Sequence, residues 1–124
     1  CAHPERVACE CGAPDCLEAL ISGNAIRRVY GKPAEQLNDD EWDEVAYNLG
    51  QGLRNIAAIY TPDLIVLGGG VAVGGGERLL NGARAVLNTR LTLVPAPEVR
   101  LSQLGYDTAL LGALALARHA ATPA

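Results

Sequence analysis

The sequence predicts an α/β domain organised around a parallel sheet, because strand-like and helix-like segments alternate along it. Asp63-Leu64-Ile65-Val66-Leu67 is a short continuous apolar run that stops at Gly68-Gly69-Gly70. That is the pattern of a strand buried on both faces and ending in a tight turn. Before it, Trp42, Val45, Ala46, Leu49, Leu53, Ile56, Ala57 and Tyr60 recur at helical spacing. After it, Leu79, Leu80, Ala83, Val86 and Leu87 cluster on one side of a second helix, ahead of another strand-like run at 98–104. Two strands are too few for a covered parallel sheet. The others are expected from polypeptide outside these 124 residues or from a partner.

In chain order, Leu17, Ala19, Leu20, Ile21, Ala25, Ile26 and Val29 have helical spacing interrupted at Ser22-Gly23-Asn24 and closed by Gly31. This predicts two short helices or one kinked helix. Lys32-Pro33-Ala34 reads as a linker, and Asn38 with Glu41 three residues later reads as the start of the long helix, which Pro62 ends. Val71-Ala72-Val73 and a second triplet, Gly74-Gly75-Gly76, separate the apolar strand from a helix at 77–87, the triplet reading as a loop. Pro95 and Pro97 precede Glu98 to Leu104, whose alternation of polar and apolar residues predicts a half-exposed or edge strand. Asp107 can cap a last helix, Thr108 to His119, and 121–124 are expected to fray. No internal repeat or low-complexity tract competes with this reading.

Apolar residues make up 49% of the chain and charged residues 19%, which suits an ordinary folded domain and excludes disorder. Fourteen acidic against ten basic residues leave a net charge of -4, and no Lys/Arg stripe offsets it. A nucleic-acid-binding role is therefore not expected. No apolar run approaches the roughly 20 residues that cross a bilayer, and the opening Cys1-Ala2-His3-Pro4-Glu5-Arg6 has neither secretory nor transit character. A soluble protein is expected. The absence of methionine and the cysteine at position 1 lead us to expect a piece of something longer.

All four cysteines fall in the first sixteen residues, three of them in Cys9-Glu10-Cys11-Gly12-Ala13-Pro14-Asp15-Cys16. A disulfide framework would spread cysteines through the chain, so the crowding points to one metal ion in a reducing compartment, the cytoplasm. Zn2+ takes four tetrahedral thiolate or imidazole ligands, and a turn through Gly12 and Pro14 can gather three sulfurs. The expected ligands are Cys9, Cys11 and Cys16, in a closed structural site without an open position for reactive water. His3 and Cys1 are the other soft ligands nearby, although Pro4 stiffens the approach of His3. The competing reading is three reduced, unliganded thiols in a loop.

The Gly68-Gly69-Gly70 turn is the second feature with chemical potential. Glycines at the carboxyl end of a strand let a flat or anionic ligand approach the backbone. The turn is neither G-x-G-x-x-G nor a phosphate loop with Gly-Lys-Ser/Thr, so a purely structural turn explains it equally well.

Taken together, these features resemble the ROK family (repressor, open reading frame, kinase) of sugar kinases and related regulators. Cys9 to Ala19 resembles the family's zinc-knuckle pattern C-x-C-G-x-x-G-C-x-E, with Asp15 in place of the usual glycine. Pro62 to Val71 is similar to its adenosine-binding segment, and Leu104-Gly105-Tyr106-Asp107 leading to Leu111-Gly112-Ala113-Leu114 is similar to its C-terminal helix. The resemblance implies a partial C-terminal lobe of an actin-like ATPase (ribonuclease H-like) fold with a zinc knuckle at its N-terminal end. The knuckle loop would occupy 1–16 and the incomplete nucleotide-binding α/β lobe 17–124.

By this resemblance Glu18 would hydrogen-bond a sugar hydroxyl, and Gly68, Gly69 and Gly70 would pass under the adenosine of ATP, with Mg2+ on its phosphates. The family's glycine-rich phosphate segment, Asp base and Glu-x-Gly-His stretch precede the knuckle and have no counterpart here, so no catalytic residue is expected in this chain. The zinc-binding histidine would fall about ten residues ahead of Cys9, before residue 1, which counts against His3. The implied activity is ATP-dependent phosphorylation of a hexose, of glucokinase or fructokinase type, by a homo-oligomer such as a dimer. These residues alone are expected to be inactive. A sugar-sensing repressor of the same family, with a helix-turn-helix upstream, is the alternative, and a zinc-stabilised interaction module is a third. For Glu18 itself the competing reading is a solvated acid at a helix start.

Overall fold

The structure, a computed structural model, describes residues 7–121. His3 and Cys1, the two further ligand candidates, and 122–124 of the expected frayed end lie outside the described residues. The knuckle, from Val7 to Cys16, is closed by an antiparallel bridge between Ala8 and Pro14. Two short helices follow, α1 (Glu18–Ile21) and α2 (Gly23–Tyr30), parted at Ser22, whose backbone turns extended while its hydroxyl accepts from the Ala25 amide. A 3-10 turn (Ala34–Gln36) leads into α3 (Asp39–Tyr60), the longest element.

The start of α3 carries both halves of a capping box. Asn38 Oδ1 accepts from the Glu41 amide and Glu41 Oε2 accepts from the Asn38 amide, at 3.0 and 2.7 Å. Its end comes at Thr61, in the left-handed region just before Pro62.

Strand β1 (Leu64–Leu67) is followed by α4 (Gly70–Arg90) and β2 (Glu98–Leu101), and the two strands pair in parallel, Leu64 opposite Glu98 and Leu67 opposite Leu101. A 3-10 turn (Gly105–Asp107) runs directly into α5 (Thr108–Ala121). The core lies between α3 and α4, where Trp42, Val45, Leu49 and Leu53 meet Leu79, Leu80 and Leu87, with Ile26 and Val99 closing it. Each such aliphatic side chain stabilises the fold by about 1.5–3 kcal/mol. Ile65, Leu67 and Leu101 pack against this core from one face of the sheet.

Two expectations are corrected. Strand β1 is not buried on both faces: Leu64 is 45% and Val66 56% exposed, because no described element covers the face they share with Glu98 and Arg100. The second glycine triplet is not a loop ahead of a helix. Helix α4 begins at Gly70, takes in Val71-Ala72-Val73, and breaks only at Gly76, whose φ of 52° and ψ of -143° are open to glycine alone. Strand β2 also stops at Leu101, so 102–104 of the expected run form the turn into α5.

Candidate functional site

The knuckle is built from local backbone bonds. Gly12 N donates to Cys9 O at 3.0 Å, Cys9 N to Ala13 O at 3.1 Å and Asp15 N to Val7 O at 2.7 Å, folding the segment back on itself. The Sγ atoms of Cys9, Cys11 and Cys16 consequently lie within 4.8 Å of one another, and those of Cys11 and Cys16 are 3.4 Å apart. Sulfurs on a tetrahedral zinc with bonds of about 2.3 Å stand about 3.8 Å apart, so the cluster fits three corners of such a site. Cys11 is exposed, Cys9 and Cys16 are half-buried.

Cys11 and Cys16 titrate unequally. Hydrogen bonds from the Ala13 backbone and then from Cys16 and Cys9 hold the Cys11 thiol below its ordinary range. Bonding to Cys11 and to Cys9 pushes Cys16 up to about 11, as expected where one sulfur becomes negative first and opposes ionisation of its neighbour.

Asp15 stands where the knuckle pattern that the sequence resembles has a glycine, and its backbone is of a kind that glycine favours. It has a φ of 60°, a left-handed conformation that Asp tolerates better than most residues. Its Oδ1 also accepts from the Val7 amide at 2.9 Å, across the neck of the knuckle.

The knuckle leads straight into the candidate site. Leu17 packs so closely on α3 that a Cβ at Gly52 would stand 2.4 Å from its Cδ2, and Glu18 opens α1 one residue later. Glu18 lines two cavities. One, of about 450 Å³, is mostly apolar and is shared with Leu17, Ile21, Ser22, Val45, Leu49, Leu67, Val71 and all three of Gly68, Gly69 and Gly70. The other, about 230 Å³, is lined by Cys9, Glu10, Ser22, Asn24 and Arg28. The two segments singled out in the sequence thus face one chamber, and Cys9 of the cysteine cluster lines its neighbour.

The three glycines have different physical reasons. A Cβ on Gly68 would lie 2.7 Å from Thr108 Cγ2, so its absence lets α5 start against the end of β1. Gly69 has a φ of 94° and a ψ of 173°, a conformation that costs any other residue. Gly70 is the first residue of α4, and its added Cβ would find only Tyr106 Cε1 at 3.7 Å, an ordinary contact. The first-turn amides of α4 therefore stand at the carboxyl end of β1, the usual place for an anionic ligand in an open α/β sheet.

Sequence reasoning missed Ser22, Asn24 and Arg28. Ser22 lies one helical turn after Glu18 and borders both cavities, and the i, i+4 spacing of the two polar residues was the available signal. Among the described residues no helix is long and apolar enough to cross a membrane.

A family model described as ROK family matches residues 1–120. A fructokinase from Streptococcus mutans serotype c is 33% identical over 117 residues, covering 86% of this chain and 38% of that protein. A fructokinase from Lactococcus lactis subsp. cremoris is 34% identical over 59 residues, 46% of this chain and 20% of its own length. Among solved structures, a ROK hexokinase from Thermus thermophilus superposes with a TM-score of 0.68 at 30% identity, covering 86% of this chain and 41% of that one. The chain therefore spans well under half the length of these relatives.

Proposed function

The chain belongs to the ROK family, and from that premise we propose that it is the C-terminal nucleotide-binding lobe, of actin-like fold, of an ATP-dependent hexose kinase. One observation carries the reading: Glu18 and the Gly68-Gly69-Gly70 turn line the same cavity. That juxtaposition is what phosphoryl transfer between a sugar and a nucleotide requires, since catalysis there is positioning and charge neutralisation more than covalent chemistry.

In this reading the Glu18 carboxylate accepts a hydrogen bond from a sugar hydroxyl and so fixes the ring. The glycine turn admits the adenosine and phosphates of ATP, with Mg2+ on the phosphates, because Gly69 and Gly70 present backbone and no side chain. Cys9, Cys11 and Cys16 would hold Zn2+, which when bound supplies a closed structural brace and no reactive water. Cys16, two residues before Glu18, then fixes the start of α1. No residue here corresponds to the family's Asp base, so this chain alone is inactive and turnover belongs to the complete protein.

Kinetics of the complete protein carrying Glu18→Gln test the reading. Glutamine keeps an accepting oxygen but loses the charge that strengthens the bond, which weakens sugar binding about 10-fold. The expected outcome is a KM for fructose or glucose raised about 10-fold while KM for ATP changes by less than about 2-fold. An unchanged sugar KM, or equal losses for sugar and ATP, would overturn it.

A further inference from the structure

The sulfurs of the knuckle are arranged for a reaction that competes with metal binding. Cys11 is exposed while Cys9 and Cys16 are half-buried, so an oxidant from solvent meets Cys11 first. The Sγ of Cys16 stands 3.4 Å from that of Cys11 and is therefore in place to respond. Cys9 is a poor partner for Cys11, because one intervening residue leaves too little chain for relaxed disulfide geometry. Four residues, including the turn glycine Gly12, separate Cys11 from Cys16.

We propose that Cys11 is an oxidative modification site with Cys16 as its resolving thiol, so that a hydroperoxide converts the metal-holding knuckle into one closed by a Cys11–Cys16 disulfide. The Cys11 sulfur attacks one oxygen of hydrogen peroxide, the O–O bond breaks, and the products are a sulfenic acid and water. The Cys16 sulfur then attacks the sulfenic sulfur, forming the S–S bond and releasing the hydroxyl as a second water. Two thiols lose two electrons and two protons, and one peroxide is reduced to two waters. With two of three sulfurs consumed, Cys9 alone cannot retain the ion. The effect on Glu18, which follows Cys16 by two residues, rests on the function proposed above; the thiol chemistry does not.

The acidic residues of the knuckle make the test direct. Glu10 lies between Cys9 and Cys11, Asp15 between Cys11 and Cys16, and Glu18 beyond, so cleavage at acidic residues puts each thiol on its own peptide. The reduced protein, in one arm loaded with zinc and in the other metal-free, is treated with one equivalent of hydrogen peroxide. Released zinc is read with a chromogenic chelator and peptides by mass spectrometry. With cleavage after each acidic residue, the expected result in both arms is a link between the 11–15 and 16–18 peptides, reversed by dithiothreitol, with one zinc released per disulfide in the loaded arm. A link through Cys9 or Cys1, sulfinic acid without a link, or zinc retained after the link has formed would overturn the proposal. Failure of the reduced protein to take up zinc removes the metal brace, while the metal-free arm still decides the Cys11–Cys16 pairing.

Discussion

Replacing each glycine of the 68–70 turn by alanine should give three different outcomes, because each lacks a side chain for a different reason. Gly69→Ala introduces no clash, since nothing lies within 4 Å of the added Cβ. Its whole effect is backbone strain at φ 94° and ψ 173°, about 1–3 kcal/mol. For 124 residues, unfolding entropy makes 1 kcal/mol worth about 4 °C, so the midpoint should fall by about 4–12 °C. Gly70→Ala sits in helical backbone with its nearest new contact at 3.7 Å. Alanine is the better helix former, and the midpoint should stay or rise by up to about 4 °C. Gly68→Ala meets Thr108 Cγ2 at 2.7 Å. Thr108 cannot simply rotate away, because its Oγ1 donates to Gly105 O at 2.7 Å and lies 3.0 Å from Ser102 Oγ. Overpacking of this kind costs about 1–3 kcal/mol. Thermal unfolding followed by far-ultraviolet circular dichroism reads all three. If Gly69→Ala melts with the wild type while Gly70→Ala loses several degrees, the backbone argument is wrong.

At the zinc site proposed above, Asp15→Gly should leave affinity within about 3-fold of the wild type, since relief of the left-handed backbone offsets loss of the bond from Val7, whereas Asp15→Ala should weaken it about 10-fold in a chelator competition. Lys32, 2.7 Å away, and then the Asn38 amide hold the Glu41 carboxyl below its ordinary value. Its contribution to stability is therefore present above the unfolded carboxylate value, about pH 4.3, and is lost as pH falls through the lower folded one. Midpoints measured from pH 3 to 7 should accordingly fall less steeply with acid in Glu41→Gln. Gly52→Ala should lower stability by about 1–3 kcal/mol in denaturant unfolding by displacing Leu17, and a variant as stable as the wild type would show that Leu17 is free to move.

What was legible in the sequence was what is decided locally. The capping box at Asn38 and Glu41 and the apolar period of α3 lie within one helix, and the three cysteines whose sulfurs the structure gathers lie within eight residues. The exposure of Leu64 and Val66 was not legible, because an apolar run states what a strand is suited to and not what lies over it. The triplet at 74–76 misled for a related reason. All three glycines read as breakers, yet only Gly76 has a positive φ; Gly75 is there because a Cβ would stand 2.7 Å from Trp42 Cζ3, a contact between residues far apart in sequence. Glu18 and the glycine turn could each be named from the sequence, but their shared cavity depends on packing.

That shared cavity follows from α3. Val45 and Leu49 form part of the lining on which both segments close. One turn further on, Gly52 receives Leu17, the residue before Glu18. Gly50 faces α4 instead, where a Cβ would lie 2.6 Å from Val86 Cβ and 2.8 Å from the Ala83 carbonyl, and α4 starts at the glycine turn. The Glu18 segment is therefore referenced to α3 at Gly52, and α4 is referenced to it at Gly50 beyond the break at Gly76 and, before that break, at Gly75 against Trp42. A loop could not hold such a relation, since its ends would move independently, whereas a 22-residue helix with a capped N-terminus moves as a unit. Small residues at 50 and 52 thus serve separate ends of one cavity, so enlarging position 52 acts first on the Glu18 end and enlarging position 50 first on the helix that carries the turn.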